Sequence, residues 1–258
     1  MSWLVRWCFM ATLDAPATGA VDLTQRRLAE QVAALLAADI VGGRISPSDA
    51  FPSAEALGHR FGVSRTVARE TIQTLSTIGL VRVQQGKRPE ILRSEGWDVL
   101  SPLLQQALRS ERQAGPVVTE LYQVRLLLEP AAAAWTAEGP SVDTHATLLG
   151  QAREMRRLAS EGNLASFLAM DREFHNEVAH ASGNRVLAAV RRDISAVLAT
   201  LWSLSDLDQA GMELAAAHHE AVAIAIASRD PAVARQAMEK HLVWASRADL
   251  GRLDTAGD

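Results

Sequence analysis

The sequence predicts a mainly α chain, an N-terminal winged helix-turn-helix followed by an all-α antiparallel helical bundle. Three observations carry that prediction. Between Phe51 and Lys87, two short amphipathic segments meet at a glycine and run on into an alternating stretch and a basic turn. Beyond residue 115, amphipathic segments succeed one another with no convincing strand. The charge is also divided: residues 20–94 hold 10 basic and 7 acidic side chains, whereas residues 95–258 hold 15 and 22. A basic N-terminal unit on an acidic partner is the electrostatic footprint of a nucleic-acid reader.

Residues 1–19 are expected to be a disordered tail. Their apolar run is broken by Arg6 and too short to span a bilayer, and a reader that begins directly afterwards argues against export. Asp22 or Thr24 caps a first helix, with Leu28, Val32, Leu35, Leu36 and Ile40 on its apolar face and Gly42-Gly43 at its end. Arg26, Arg27 and Arg44 suit phosphate and a solvated face equally well. Ser53 caps a second helix that turns Leu57 and Phe61 inward, and Gly62 supplies a left-handed stop. Ser64 caps a third helix, which buries Val67, Ile72, Leu75 and Ile78 while Arg65, Thr66, Arg69 and Gln73 face outward. A polar helix start carrying two arginines suits a major groove and its phosphates. Gly79 ends that helix, LVRV alternates as a strand, and QQGKRPEIL turns back as a wing with Gly86, Lys87 and Arg88 at its tip. The reader is assigned to residues 20–93 and a connector with a short helix to residues 94–115.

The bundle is assigned to residues 116–250, with a tail at 251–258. Its first helix carries Pro130, an expected kink. Asn163 caps a later helix, Gly183-Asn184 closes it, and Asp230 with Pro231 opens the last. Two cores are expected from 258 residues. The single cysteine, Cys8, excludes an internal disulfide framework and agrees with a reducing, cytoplasmic setting.

Asp171 and His175 are i, i+4 on one helix, flanked by Met170, Phe174 and Val178. His219 and His241 lie beside apolar stripes on the last two helices. Three imidazoles and a carboxylate on three helices form an N/O donor set for a borderline transition ion, although lone histidines of a bundle are also ordinary core residues. Arg125, inside an apolar helix, is costly to bury without an anion. It fits either a bidentate clamp on a carboxylate or an i, i+4 pair with Glu129.

Phe51-Pro52-Ser53, Leu57, Phe61-Gly62-Val63-Ser64-Arg65, Val67, Arg69-Glu70, Leu75 and Gly79-Leu80-Val81 resemble the GntR family of bacterial transcription regulators. That family often has an arginine where this chain has Glu55, so one base contact is not carried over. Val124-Arg125, Leu128-Glu129-Pro130, Asp171, Phe174-His175, Gly183-Asn184, His219-Glu220-Ala221, Met238 and His241-Leu242 resemble the ligand-binding FCD domain of the FadR-type subfamily, over nearly all of residues 99–250. The resemblance implies a homodimer on double-stranded DNA with an inverted-repeat operator, contacted by Ser53, Ser64, Arg65, Thr66, Arg69, Gly86 and Lys87. It implies a divalent metal on Asp171, His175, His219 and His241, zinc before nickel or manganese. It implies a small carboxylate effector that completes the coordination, with Arg125 and Asn184 as effector-binding candidates. The pattern His followed two residues later by Ala favours His219 over His218. The stretch from Gly96-Trp97 to Pro102 is similar to regulators of sugar-acid catabolism, which makes a sugar acid the expected effector class.

Two other functions compete. A metal-dependent hydrolase would need a general base that no glutamate here supplies by spacing. A DNA-architectural protein with a structural metal would bind with little sequence preference and strong salt sensitivity.

Overall fold

The computed structural model describes residues 23–139, 142–201 and 207–255. The reader comprises α1 (Leu23–Val41), α2 (Ala54–Phe61), α3 (Arg65–Thr77) and an antiparallel ribbon of β1 (Val81–Arg82) and β2 (Glu90–Ile91). Val81 pairs with Ile91 and Arg82 with Glu90, which leaves residues 83–89 as the wing. A connector helix, α4 (Pro102–Ser110), leads to the bundle helices α5 (Gly115–Glu138), α6 (Val142–Ser160), α7 (Leu164–Ala181), α8 (Arg185–Leu201), α9 (Gln209–Ala227) and α10 (Pro231–Thr255). Among the described residues no helix is long and apolar enough to cross a membrane.

The helix starts are set by side-chain caps. Ser53 Oγ accepts from Ala56 N and Ser64 Oγ from Val67 N, each at 3.2 Å. Asn163 caps α7 at 3.2 Å, Asp208 caps α9 at 2.8 Å, and Asp230 accepts from Ala232 N at the start of α10 at 2.9 Å. Between α2 and α3, Gly62 takes φ +65°, the left-handed turn that holds the two helices together.

Several expectations are corrected. Val32, Leu36 and Ile40 are buried as expected, but Leu28 and Leu35 are exposed, and Ala29, Ala33 and Ala37 complete the buried face of α1. The alanines let α3 approach closely enough for Thr71 Oγ1 to donate to Ala29 O at 3.3 Å. Helix α1 already begins at Leu23, so Thr24 lies within it and does not cap it. Asp22, the tail at 1–19 and Cys8 lie outside the described residues. Helix α10 continues to Thr255, beyond the start of the expected tail.

The cores divide differently from one per unit. One joins reader residues Leu36, Leu57, Leu75 and Leu80 to Leu104 and Leu108 of α4, Val118 and Tyr122 of α5, and Ile194 and Leu198 of α8. The other fills the interior of the bundle around Leu148, Met155, Phe167, Phe174, Met238 and Leu242. Helix α4 therefore stands between α1 and α8. Arg44 reinforces this junction, donating to both oxygens of Glu111 at 2.8 and 2.9 Å and to Asp39 at 2.7 Å.

Candidate metal centre and nucleic-acid interface

The outer face of the reader presents the first turn of α3. Arg65, Thr66 and Arg69 are exposed there, beside the capping Ser64, and among the described residues neither arginine has an ion-pair partner. Ser53 is exposed at the start of α2. Gly86 forms the wing tip at φ +74°, with Lys87 and Arg88 exposed next to it. Of the three arginines first left open, Arg44 is engaged with Glu111 and Asp39, Arg26 pairs with Glu30 at 3.3 Å, and Arg27 is exposed.

In the bundle, α7, α9 and α10 bring His175, His219 and His241 together, each at most 2% exposed. His175 Nε2 lies 3.2 Å from His219 Nε2 and 3.1 Å from His241 Nε2. Asp171, half-buried one turn before His175, places Oδ1 3.1 Å from His219 Nε2 and 4.0 Å from His175 Nε2. The surroundings assign two tautomers. His175 Nδ1 faces Glu129 Oε2 at 2.6 Å and His219 Nδ1 faces Ala215 O at 2.8 Å, and both oxygens can only accept. Both Nδ1 atoms therefore carry the proton, and both Nε2 atoms turn their lone pairs toward each other and toward the Asp171 carboxylate. Lone pairs this close repel unless a cation lies between them. Metal–nitrogen bonds of about 2.0–2.1 Å place neighbouring donors about 3–3.4 Å apart, the spacing found here. Glu129 and the Ala215 carbonyl are the outer partners such imidazole ligands use to fix orientation.

Burial pushes His175 down to about 4, against the pull of Glu129, and holds His241 well below the ordinary imidazole value, with His219 and His175 adding to the effect. Burial works against the Asp171 carboxylate, but the nearby His219, His175 and Arg125 hold it far below the usual range. The neutral imidazoles and ionised carboxylate are the protonation states a metal requires.

Arg125 and Glu129 do form the i, i+4 pair, with Nε donating to Oε1 at 2.7 Å. Beyond that pair, Arg125 Nη2 donates to the lone pair of His175 Nε2 at 3.3 Å, and the group stacks over Tyr122 at 4.9 Å. Arg125 also lines a cavity of about 40 Å³ together with Asp171, Arg172, Arg191 and Ser195. The sequence reading did not single out Arg191, whose Nε lies 2.7 Å from Glu129 Oε1. Its signal was present: Leu187, Arg191, Ile194 and Leu198 share one buried stripe of α8. Asn184 does not join this group. It is exposed, and its Oδ1 caps α8 by accepting from Val186 N and Leu187 N, both at 3.1 Å. His218 stacks on Trp244 at 4.8 Å, while His59 and His180 are exposed and His145 is buried on α6.

Known proteins match both halves. Residues 28–91 match the bacterial regulatory proteins of the gntR family, and residues 120–243 match the FCD domain. The HTH-type transcriptional regulator LutR of Bacillus subtilis is 28% identical over 210 residues, covering 79% of this chain and 92% of LutR. The HTH-type transcriptional repressor NanR of Klebsiella aerogenes is 27% identical over 228 residues, covering 85% of this chain and 84% of NanR. Among solved structures, the Listeria monocytogenes protein Lar, described as controlling expression of the agr system, is similar with a TM-score of 0.58 at 18% identity. That likeness covers 88% of this chain and 97% of Lar, and it bears on the fold alone. Family and relatives are transcription regulators, which removes the hydrolase alternative. The chain belongs to the GntR family of bacterial regulatory proteins, its reader joined to an FCD domain as in the FadR-type subfamily.

Proposed function

We propose that the chain is a homodimeric, cytoplasmic repressor that reads an inverted-repeat operator with α3 and the wing and answers to a small carboxylate held at a metal centre in the bundle. The observation that carries the effector half is the convergence of the His175 and His219 lone pairs, with His241 Nε2 and Asp171 Oδ1, beside a buried arginine. These four residues would hold a divalent transition ion, zinc first, with nickel or manganese accepted by the same donors according to availability. Bound there, the ion supplies a Lewis-acid anchor for a carboxylate oxygen. The chain's own groups do the rest. Glu129 and the Ala215 carbonyl hold the imidazoles in register, and the Arg125 guanidinium beside them attracts the same carboxylate.

Ser64 fixes the start of α3 so that Arg65, Thr66 and Arg69 meet base edges and phosphates, while Ser53, Gly86 and Lys87 reach the flanking backbone. A two-fold dimer presents two such readers and therefore favours a palindromic site. Because α4 packs between α1 and α8, a shift of α8 on effector binding reaches the reader through one helix. The effector controls DNA only to the extent that it binds one arrangement better than the other. The NanR name supports repression as the sense of control.

The test is fluorescence anisotropy on DNA upstream of the chain's own coding region, at fixed salt, with zinc or chelator and a panel of small acids that includes sugar acids. The expected result is tight binding to a palindrome, weakened by one acid with zinc present and indifferent to it after chelation. Equal affinity for scrambled DNA would remove the reader assignment and favour the architectural alternative. An acid effect that survives chelation would remove the metal from the effector site.

A further inference from the structure

Arg191 and Ser195 stand one turn apart on α8 and line the cavity that Arg125 and Asp171 also line. The metal centre and a single carboxylate leave both unexplained. Arg191 is 2% exposed and Ser195 6%, and among the described residues neither Arg191 Nη1 nor Ser195 Oγ has a hydrogen-bond partner. Glu129 is the carboxylate beside Arg191, and its charge is shared among several partners. Its Oε1 already lies 2.7 Å from both Arg125 Nε and Arg191 Nε, and its Oε2 faces His175. One carboxylate therefore serves two guanidinium groups and an imidazole, and Asp171 is turned toward His219. The α8 wall of the cavity keeps an excess of positive charge, which Arg172 at its edge increases.

A buried guanidinium N–H and a buried hydroxyl left unpaired are each costly, and two of them one turn apart on one cavity wall fit an oxygen anion. A monocarboxylate placed on the histidine centre and Arg125 would satisfy neither. We infer that the effector, on the reading proposed above, is a short dicarboxylate: one carboxylate meets the histidine centre and Arg125, and the second is received by Arg191 and Ser195. Arg125, Asp171, Arg191 and Ser195 all line this one cavity, so the chain between the two carboxylates is short. Arg191 and Ser195 are then the specificity-determining residues, because they meet the second carboxylate and take no part in holding the metal.

Isothermal titration calorimetry on the full-length, zinc-loaded protein tests this, comparing malonate and succinate with propionate and butyrate. Dicarboxylates should bind at least tenfold more tightly than monocarboxylates of equal carbon number. Arg191→Gln and Ser195→Ala should each bring dicarboxylate affinity down toward the monocarboxylate level without loss of zinc. Ser195→Ala removes only one oxygen, so it carries the test if Arg191→Gln fails to fold by circular dichroism. Equal affinity for the two classes, or a dicarboxylate preference that survives in folded Ser195→Ala, overturns the inference and leaves the carboxylate reading standing. Absence of binding by every acid of both classes removes the carboxylate reading itself, and this inference with it.

Discussion

Arg65 and Glu129 represent two opposite uses of charge. Arg65 is exposed at the first residue of α3, directly after its cap and without an ion pair among the described residues, so its replacement disturbs little of the fold. Arg65→Ala is expected to weaken specific operator binding by about 1–3 kcal/mol, read by anisotropy, while zinc content stays unchanged; unaltered operator affinity would show that α3 is not the reading helix. Glu129 is buried between Arg125, Arg191 and His175, and those neighbours hold its carboxyl well below the usual carboxylate range against the cost of burial. Glu129→Gln keeps the shape but leaves two buried guanidinium groups without a counter-charge. A loss of about 3–5 kcal/mol in urea-induced unfolding is expected, and a loss below about 1 kcal/mol would mean that other groups neutralise the arginines. The metal-site candidates were legible because Asp171 and His175 share a helix face at i, i+4 and because the set of four resembles the FCD pattern. Sequence reading reached Arg125 because a charge interrupts an apolar run. It passed over Arg191 because Arg192 follows directly, and only the helix phase decides which of two adjacent arginines turns inward. It placed Asn184 with the effector, whereas the turn before α8 uses that side chain as a cap.

The elements owe their limits to single residues, and glycine shows this most sharply. Gly79 takes φ +76°, and a Cβ built there would lie 2.0 Å from the carbonyl oxygen of Gly96, so the end of α3 and the segment after β2 touch through bare backbone. Gly43 takes a similar φ of +73° with open space around it. The two positions separate strain from collision. Gly43→Ala is expected to cost about 1 kcal/mol, the price of a left-handed alanine. Gly79→Ala adds the collision and is expected to lower stability by at least about 2 kcal/mol, with a matching fall in melting temperature. Equal effects at the two sites would mean that the Gly96 segment yields freely. The caps at Ser53, Ser64, Asn163 and Asp230 and the helix-turn-helix were legible in the sequence because they are local: each of these caps joins residues two or three apart. The inward face of α1 was legible at Val32, Leu36 and Ile40 but not at Leu28 and Leu35, because side-chain size alone does not decide burial. Close approach to α3 selects the small face with Ala29, Ala33 and Ala37, and turns Leu28 and Leu35 outward.

At the scale of the molecule, the bundle stores two buried imidazoles that must remain neutral, and this makes its stability depend on pH. His175 titrates near 4 in the folded chain and His241 is held well below its ordinary value, whereas both take that ordinary value, near 6.5, when the chain unfolds. Above pH 6.5 neither state binds these protons, and the stability from burying neutral imidazole is fully present. As pH falls below 6.5 the unfolded chain takes up protons that the folded chain refuses, so stability declines by as much as about 1.4 kcal/mol per pH unit for each histidine. The decline from His175 levels off near pH 4, where the folded state also protonates. The depressed Asp171 carboxyl acts in the same direction but only below its ordinary value of 3.8, so the two windows are separable. Chelator-treated protein should therefore lose melting temperature steadily from pH 6.5 to pH 4 and stay nearly level from pH 6.5 to pH 8. Zinc adds stability by binding the folded state alone, and its ligands must be deprotonated, so the zinc-induced rise should be large at pH 7.5 and shrink as the pH falls. His175→Gln removes one titrating group and one donor together, so its metal-free melting curve should flatten between pH 6.5 and pH 4 and its zinc-induced rise should fall. A zinc-induced rise in that variant equal to the parent's, at every pH, would place the ion elsewhere in the chain.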